Sequence, residues 1–195
     1  MSEPHPDRFV TSAGESKQVT MVTSELSAYP HVKTEDFEAA VLPCNRGYML
    51  VVLPAPGKNV RDLERLLAEH PDLLDATFEP GLGDVTLPYF KFRFESNFRE
   101  SLEAMGVKKV FEDLGPIINI HKSHLTGVSQ SIDIEVNREG IRAAAETVVG
   151  VVYGGITRVP EPFHLQFNRP FLFLIREHHT NALLFLGAVV DPSQN

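Results

Sequence analysis

Cysteine is nearly missing from this chain: Cys44 is the single one in 195 residues. A lone thiol excludes an internal disulfide and a zinc site built on cysteines. No Asn-x-Ser/Thr sequon occurs, so glycosylation carries no information. Basic residues are outnumbered, 18 Lys and Arg against 26 Asp and Glu, for a formal net charge of −8. Such a chain repels nucleic acid and anionic membrane, and no basic cluster offsets that repulsion. No apolar run approaches the roughly 20 residues of a bilayer-spanning helix. Met1–Phe9 is polar, holds two prolines and lacks the basic stretch and apolar run of a secretory signal. The expectation is a protein that stays in the cytosol or takes an export signal from outside this sequence. Repeats and low-complexity stretches are also missing.

What is there is an ordinary globular composition, 43% hydrophobic and 23% charged, enough for one domain with a core. Residues 1–18 are polar and are expected to be poorly ordered. Phe37–Leu42 and Tyr48–Leu53 are apolar runs around Asn45-Arg46-Gly47, the pattern of a hairpin, and Pro54 closes its second strand. Asn59–His70 has helical spacing, with Val60, Leu63, Leu66 and Leu67 on one stripe, Asn59 as N-cap and Pro71 as stop. Val85–Phe94 alternates but slips phase near Pro88, as one bent strand would. Asn97–Met105 reads as a short helix closed by Gly106, with Phe98, Leu102 and Met105 inward. Val128–Val136, Phe163–Phe167, Pro170–Arg176 and Ala182–Val190 read as strands, with a turn at His178–Asn181. Strands dominate with a few helices between them, so the fold class is α+β with mostly antiparallel sheet.

Catalytic patterns are weak. His121 and His124, and the adjacent His178 and His179, have no carboxylate or cysteine at metal spacing and read as solvated turn or surface side chains. Ser129 and Ser131 lack a Gly-x-Ser-x-Gly context. Gly81-Leu82-Gly83 lacks the remainder of a dinucleotide or phosphate loop. Cys44, beside Pro43 at a strand end, reads as an inert thiol rather than a nucleophile. The expectation is a protein that is not an enzyme and uses neither metal nor cofactor.

One segment is unlike the rest. From Gly140 to Gly155 three alanines favour helix, but the β-branched run after them opposes it. Taken as a strand, Ile141, Ala143, Ala145, Thr147, Val149 and Val151 share one face, small or apolar throughout. Both charges, Arg142 and Glu146, lie on the other. Yet Gly154-Gly155, Pro160 and Pro162 favour an exposed irregular loop. Two readings stand: an edge strand followed by a loop, or one segment with two states.

Glu135–Gly140 followed by Ala143-Ala144-Ala145-Glu146-Thr147 resembles the hinge and proximal reactive loop of the serpins. Phe167–Ile175 is similar to that family's C-terminal signature, and Leu184–Pro192 to its terminal strand. Tyr48–Pro54, Val85–Phe94 and Leu102–Phe111 fit more loosely. The resemblance implies that residues 19–195 are the C-terminal part of a serpin domain, its N-terminal portion absent, with a reactive loop at about 140–162. It implies a serine protease inhibitor whose loop is bait: a protease forms an acyl-enzyme at the cut, and the freed loop inserts as an extra strand into a β-sheet. Gly140, Ile141, Ala143, Ala144, Ala145 and Thr147 would be the hinge, with Ala143–Ala145 small enough to enter a sheet without overpacking. Family spacing, about fourteen residues past the hinge glycine, puts the reactive bond at Gly154–Gly155. A cut after Tyr153 would suit a chymotrypsin-like protease, one after Val152 an elastase-like one. Arg158, eighteen residues past Gly140, would suit a trypsin-like one. The partner implied is a chymotrypsin-, elastase- or subtilisin-like serine protease, and an N-terminal serpin fragment is a further candidate. The family also implies the extracellular space, with the cytoplasm as the alternative.

Four positions depart from the inhibitory pattern: Arg138 for a usual glutamate, Ile141 for threonine or serine, Glu146 for a small residue, and Gln130 for a frequent histidine. They keep two alternatives open, a non-inhibitory serpin relative acting as carrier or chaperone, and an inactive truncated fragment. No helix carries a basic stripe for a heparin-like cofactor.

Overall fold

The computed structural model describes residues 3–44, 47–74, 78–113, 123–137 and 161–193. They fall into two compact units: the chain up to Phe90 together with the residues from Glu135 onward, and Lys91–Ile134.

The first unit opens with strands β1 (His5–Val10), β2 (Ser16–Thr23), β3 (Ser27–Lys33), β4 (Phe37–Cys44) and β5 (Gly47–Pro54). Helix α1 (Val60–Glu69), a 3-10 turn (Pro71–Leu74) and β6 (Glu79–Pro88) follow. The second unit holds β7 (Phe90–Asn97) beyond its first residue, α2 (Arg99–Ala104), α3 (Lys109–Glu112) and β8 (Ser129–Val136) as far as Ile134, the two strands forming a separate two-stranded sheet. β9 (Phe163–Gln166), β10 (Phe171–Glu177) and β11 (Leu183–Val189) complete the large sheet of the first unit. That sheet has nine strands among the described residues, in the order β1-β2-β6-β3-β4-β5-β10-β11, with β9 branching from β6. The β6–β9 pair is parallel, and every other pairing in this sheet is antiparallel.

The centre of the sheet is β4-β5-β10. β5 is buried from Met49 to Pro54 without alternation, and β10 is buried from Phe171 to Leu174. A strand covered on both faces needs apolar side chains at successive positions, which is why Met-Leu-Val-Val-Leu and Phe-Leu-Phe-Leu appear there. On one face Leu50, Val52, Leu172 and Leu174 pack with Phe37 and Ala39 against Val60 and Leu63 of α1. On the other, Phe171 meets Phe167 edge-on at 4.9 Å and Phe90 at 6.0 Å, while Phe173 lies 5.6 Å from Phe90. β11 pairs so closely with β10 that a Cβ on Gly187 would come within 2.6 Å of the Phe173 ring.

Helix α1 starts where the sequence places it. The Asn59 side chain accepts from the amides of Arg61 and Asp62, and Asp62 accepts from the Asn59 amide, closing a capping box. The predicted β4–β5 hairpin is present, pairing Phe37 with Pro54 through to Cys44 with Gly47.

Other expectations are corrected. The polar start is not unstructured: His5–Val10 pairs with Ser16–Met21 in a hairpin. Its inward face rests on few residues, Phe9 (fully buried), Val19 and Met21, too sparse to register as an apolar pattern. Val85–Phe94 is not one bent strand. β6 ends at Pro88, which has no N–H to continue a ladder, and β7 begins at Phe90 in the other sheet. β3 has no apolar alternation in its sequence, since it carries Pro30, His31 and Lys33. Met105 is 79% exposed, because α2 ends at Ala104 and the chain turns at Gly106, φ +94°. In the second unit Arg99 ties α2 down, donating from Nε to Glu103 at 2.9 Å and from Nη1 to the Thr126 carbonyl at 3.1 Å, its guanidinium 5.1 Å from the Phe111 ring centre.

The β10–β11 turn is held by one carboxylate. Glu177 Oε2 accepts from the Thr180 amide at 2.7 Å, the Thr180 hydroxyl at 2.8 Å and the His179 amide at 2.9 Å. These bonds, the Thr180 amide first, hold its pKa at about 2, below the ordinary 4.5. A depressed carboxylate stabilises the fold fully above its unfolded-state pKa, and that contribution fades as pH falls from about 4.5 toward about 2. Amide exchange at His179 and Thr180 is therefore expected to accelerate across that window, and Glu177→Gln to remove the pH dependence. Leu63→Ala, which empties the α1 side of the core, is expected to lower unfolding free energy by about 2–5 kcal/mol in urea titration.

Candidate functional site

The site indicated by the sequence is the loop between β8 and β9. Its hinge (Gly140, Ile141, Ala143, Ala144, Ala145, Thr147), its reactive bond (Gly154, Gly155) and the alternatives Tyr153 and Arg158 lie outside the described residues. What the structure supplies is the two stems.

The upstream stem is β8, which reaches Val136 and is followed by Asn137, whose Nδ2 donates to Glu135 Oε1 at 2.8 Å. β8 pairs with β7. Its burial alternates toward the C-terminal end, where Val136 is buried, while Ser129, Gln130 and Ser131 are exposed.

The downstream stem is β9, starting at Phe163. It pairs in parallel with β6, Gly83 with Phe163 through to Thr86 with Gln166. Its side chains divide between the two faces, as successive residues of a strand must. Phe163 stacks on His31 of β3, ring centres 3.9 Å apart and planes 7° from parallel, and Leu165 is buried. On the opposite face His164 Nδ1 lies 2.6 Å from Asp84 Oδ2, and Gln166 Nε2 donates to Asp7 at 2.6 Å. Beyond β9 the Phe167 amide donates to the Thr86 carbonyl at 2.9 Å, and Arg169 Nη2 donates to the Pro54 carbonyl at 2.8 Å. Burial draws the Arg169 pKa below its ordinary value, with Glu38 opposing. The chain end is fixed as well. Lys17 Nζ donates to Asp191 at 2.5 Å, and Ser193 bonds the same carboxylate, holding its pKa at about 2.

Among the described residues, the adjacent pair His178 and His179, His124 and Cys44 lie apart from one another along the fold. His178 and His179 are exposed in the β10–β11 turn, His124 is exposed, and Cys44 closes β4. His121 lies outside the described residues. His31, His164 and Asp84 were missed in the sequence because their partners are distant along the chain, 80 residues apart for His164 and Asp84.

The architecture is thus an α+β fold, mostly antiparallel, in which residues 138–160 join strands of two different sheets. The family model Serpin (serine protease inhibitor) matches residues 2–192, and the chain belongs to that family. It is 29% identical to Serpin A3-8 of Bos taurus over 98% of this chain and 47% of that protein. It is 34% identical to Iripin-5 of Ixodes ricinus over 87% of this chain and 44% of that protein. Among solved structures, native protease nexin-1 with heparin superposes with a TM-score of 0.76 at 23% identity, covering 97% of this chain and 52% of that one. The thermophilic serpin tengpin in its native state gives 0.70 at 24% identity, over 96% and 50%. The chain spans about half the length of the relatives it matches.

The stems carry a consequence for cleavage. A chain cut between Asn137 and Glu161 should keep its C-terminal piece, because β9 pairs with β6 and β10 lies between β5 and β11. The nicked protein is expected to run as one species on native gel filtration and as two on denaturing gels. Separation under native conditions would contradict the pairing.

Proposed function

We propose that this chain presents a protease bait loop between β8 and β9, cut at Gly154–Gly155, and that it acts as a serine protease inhibitor by suicide cleavage and strand insertion. The observation that carries this reading is the inward face Ile141, Ala143, Ala145, Thr147, Val149 and Val151, uncharged along its length, in a segment that ends in two glycines. A loop that must later become a buried strand needs such a face, since a charge there would be left unpaired on insertion. Membership of a protease inhibitor family supports it. So does the presence of ordered strands on both sides of the segment. In chemical terms the protease hydroxyl attacks the Gly154 carbonyl, the Gly155 nitrogen leaves as an amine, and an acyl-enzyme remains on Gly154. Insertion before water arrives would trap it. The target would be a chymotrypsin-, elastase- or subtilisin-like serine protease, met in the extracellular space.

A second reading has its own support. Arg138, Ile141 and Glu146 replace the residues usual in an inhibitory hinge. These replacements favour a serpin relative whose loop is cleaved without trapping.

Incubation with trypsin, chymotrypsin, elastase and subtilisin separates the two. The expected outcome is an SDS-stable band at the summed mass, with a released peptide beginning at Gly155. Cleavage between Val148 and Arg158 with no covalent band would favour the carrier or truncated reading. Ala145→Asp, which puts a charge on the inward face, is expected to turn any inhibition into simple substrate cleavage.

A further inference from the structure

Strand β9 has four residues and pairs with β6 alone among the described residues. A short edge strand with one neighbour is weakly held by its backbone. Yet it is the first element after the proposed bait loop, and its side chains are gripped on both faces.

One grip is a socket. Gly81 and Gly83 point to the same face of β6, and neither offers a side chain. A Cβ at Gly83 would come within 2.5 Å of Phe163 Cγ, and one at Gly81 would sit 3.5 Å from two Phe163 ring carbons. The Phe163 ring therefore fills the trough the two glycines leave, and the His31 ring closes it by parallel stacking at 3.9 Å. Gly81-Leu82-Gly83 is no phosphate loop: its glycines make room for this ring. The second grip is the His164–Asp84 pair at 2.6 Å on the other face.

We propose that His31, Gly81 and Gly83, with Asp84 and His164, are positioning residues for the reactive loop, fixing the point at which its C-terminal stem leaves the body. This rests on the reading of residues 140–162 as bait. Phe163 lies eight residues past Gly155. An extended tether of that length reaches at most about 26–29 Å. Releasing Phe163–Gln166 would add four residues, roughly 13–14 Å, and would let the bond wander relative to an approaching protease.

Both grips join a histidine to a carboxylate. His31 Nε2 lies 3.0 Å from Glu38 Oε1, whose second oxygen takes Lys33 at 3.0 Å, and Arg169 is within electrostatic reach of Glu38. Glu79 stands opposite His31 across β3–β6. Asp84, beside His164, also acts on the Tyr29 phenol.

Hydrogen exchange of the whole chain, read without protease on the peptides covering 163–167 and 171–176, tests the socket. Phe163→Ala and His31→Gln are each expected to speed exchange in 163–167 about tenfold while 171–176 is unchanged. Replacing both histidines by Gln is expected to speed exchange in 163–167 by more than His31→Gln alone. Subtilisin cleavage of the same variants should spread over more bonds between Val148 and Arg158. The proposal is overturned by unchanged exchange in both single variants, by equal acceleration of 171–176 in both, or by a looser β9 with the wild-type cleavage pattern. A wild-type chain cut only outside 140–162 overturns the bait reading and the positioning role with it. That failure is told apart from a failed socket because exchange is read independently.

Discussion

Strand β10 sits between β5 and β11 with Phe171, Leu172, Phe173 and Leu174 all buried, and the rest of the first unit is arranged around that burial. Side chains of this size contribute about 1.5–3 kcal/mol each when taken from water, and here they alternate into two separate packings. Leu172 and Leu174 reach the α1 side, and Phe171 and Phe173 reach Phe90 and Phe167. Helix α1 has a narrow apolar stripe and would be marginal alone, so its stability comes from lying on this face. The C-terminal strands are therefore structural members of the sheet, not an appendage to it.

The second constraint is topological. β8 belongs to a sheet with β7, and β9 belongs to the large sheet through β6. Residues 138–160 connect these two sheets along the chain. The chain belongs to the serpin family and spans about half the length of the relatives it matches.

Polar residues do the finer work near the stems. Glu177 organises a turn through three donors, Asp191 anchors the chain end to Lys17, and Asp84 and Glu38 hold histidines on opposite faces at the start of β9. Each is a charged or strongly polar contact at the rim of an apolar core, where geometry can be fixed without burying an unpaired charge.

What could be read from the sequence was what depends on near neighbours. The β4–β5 hairpin, the Asn59 cap with its helix, and the strands β8 to β11 show in their own residues, because period, capping and turn chemistry act within a few positions. The C-terminal signature was legible for the same reason. Tertiary structure alone decided the rest. β1, β2 and β3 carry too few apolar residues to announce themselves and exist because β6 and β4 offer edges to pair with. The break at Pro88 became a change of sheet only when β7 found β8. Two glycines that read as an incomplete ligand loop became the seat of a phenylalanine about 80 residues away. No local pattern encodes contact across such a separation; it follows from which strand edges and faces remain to be covered once the core has formed.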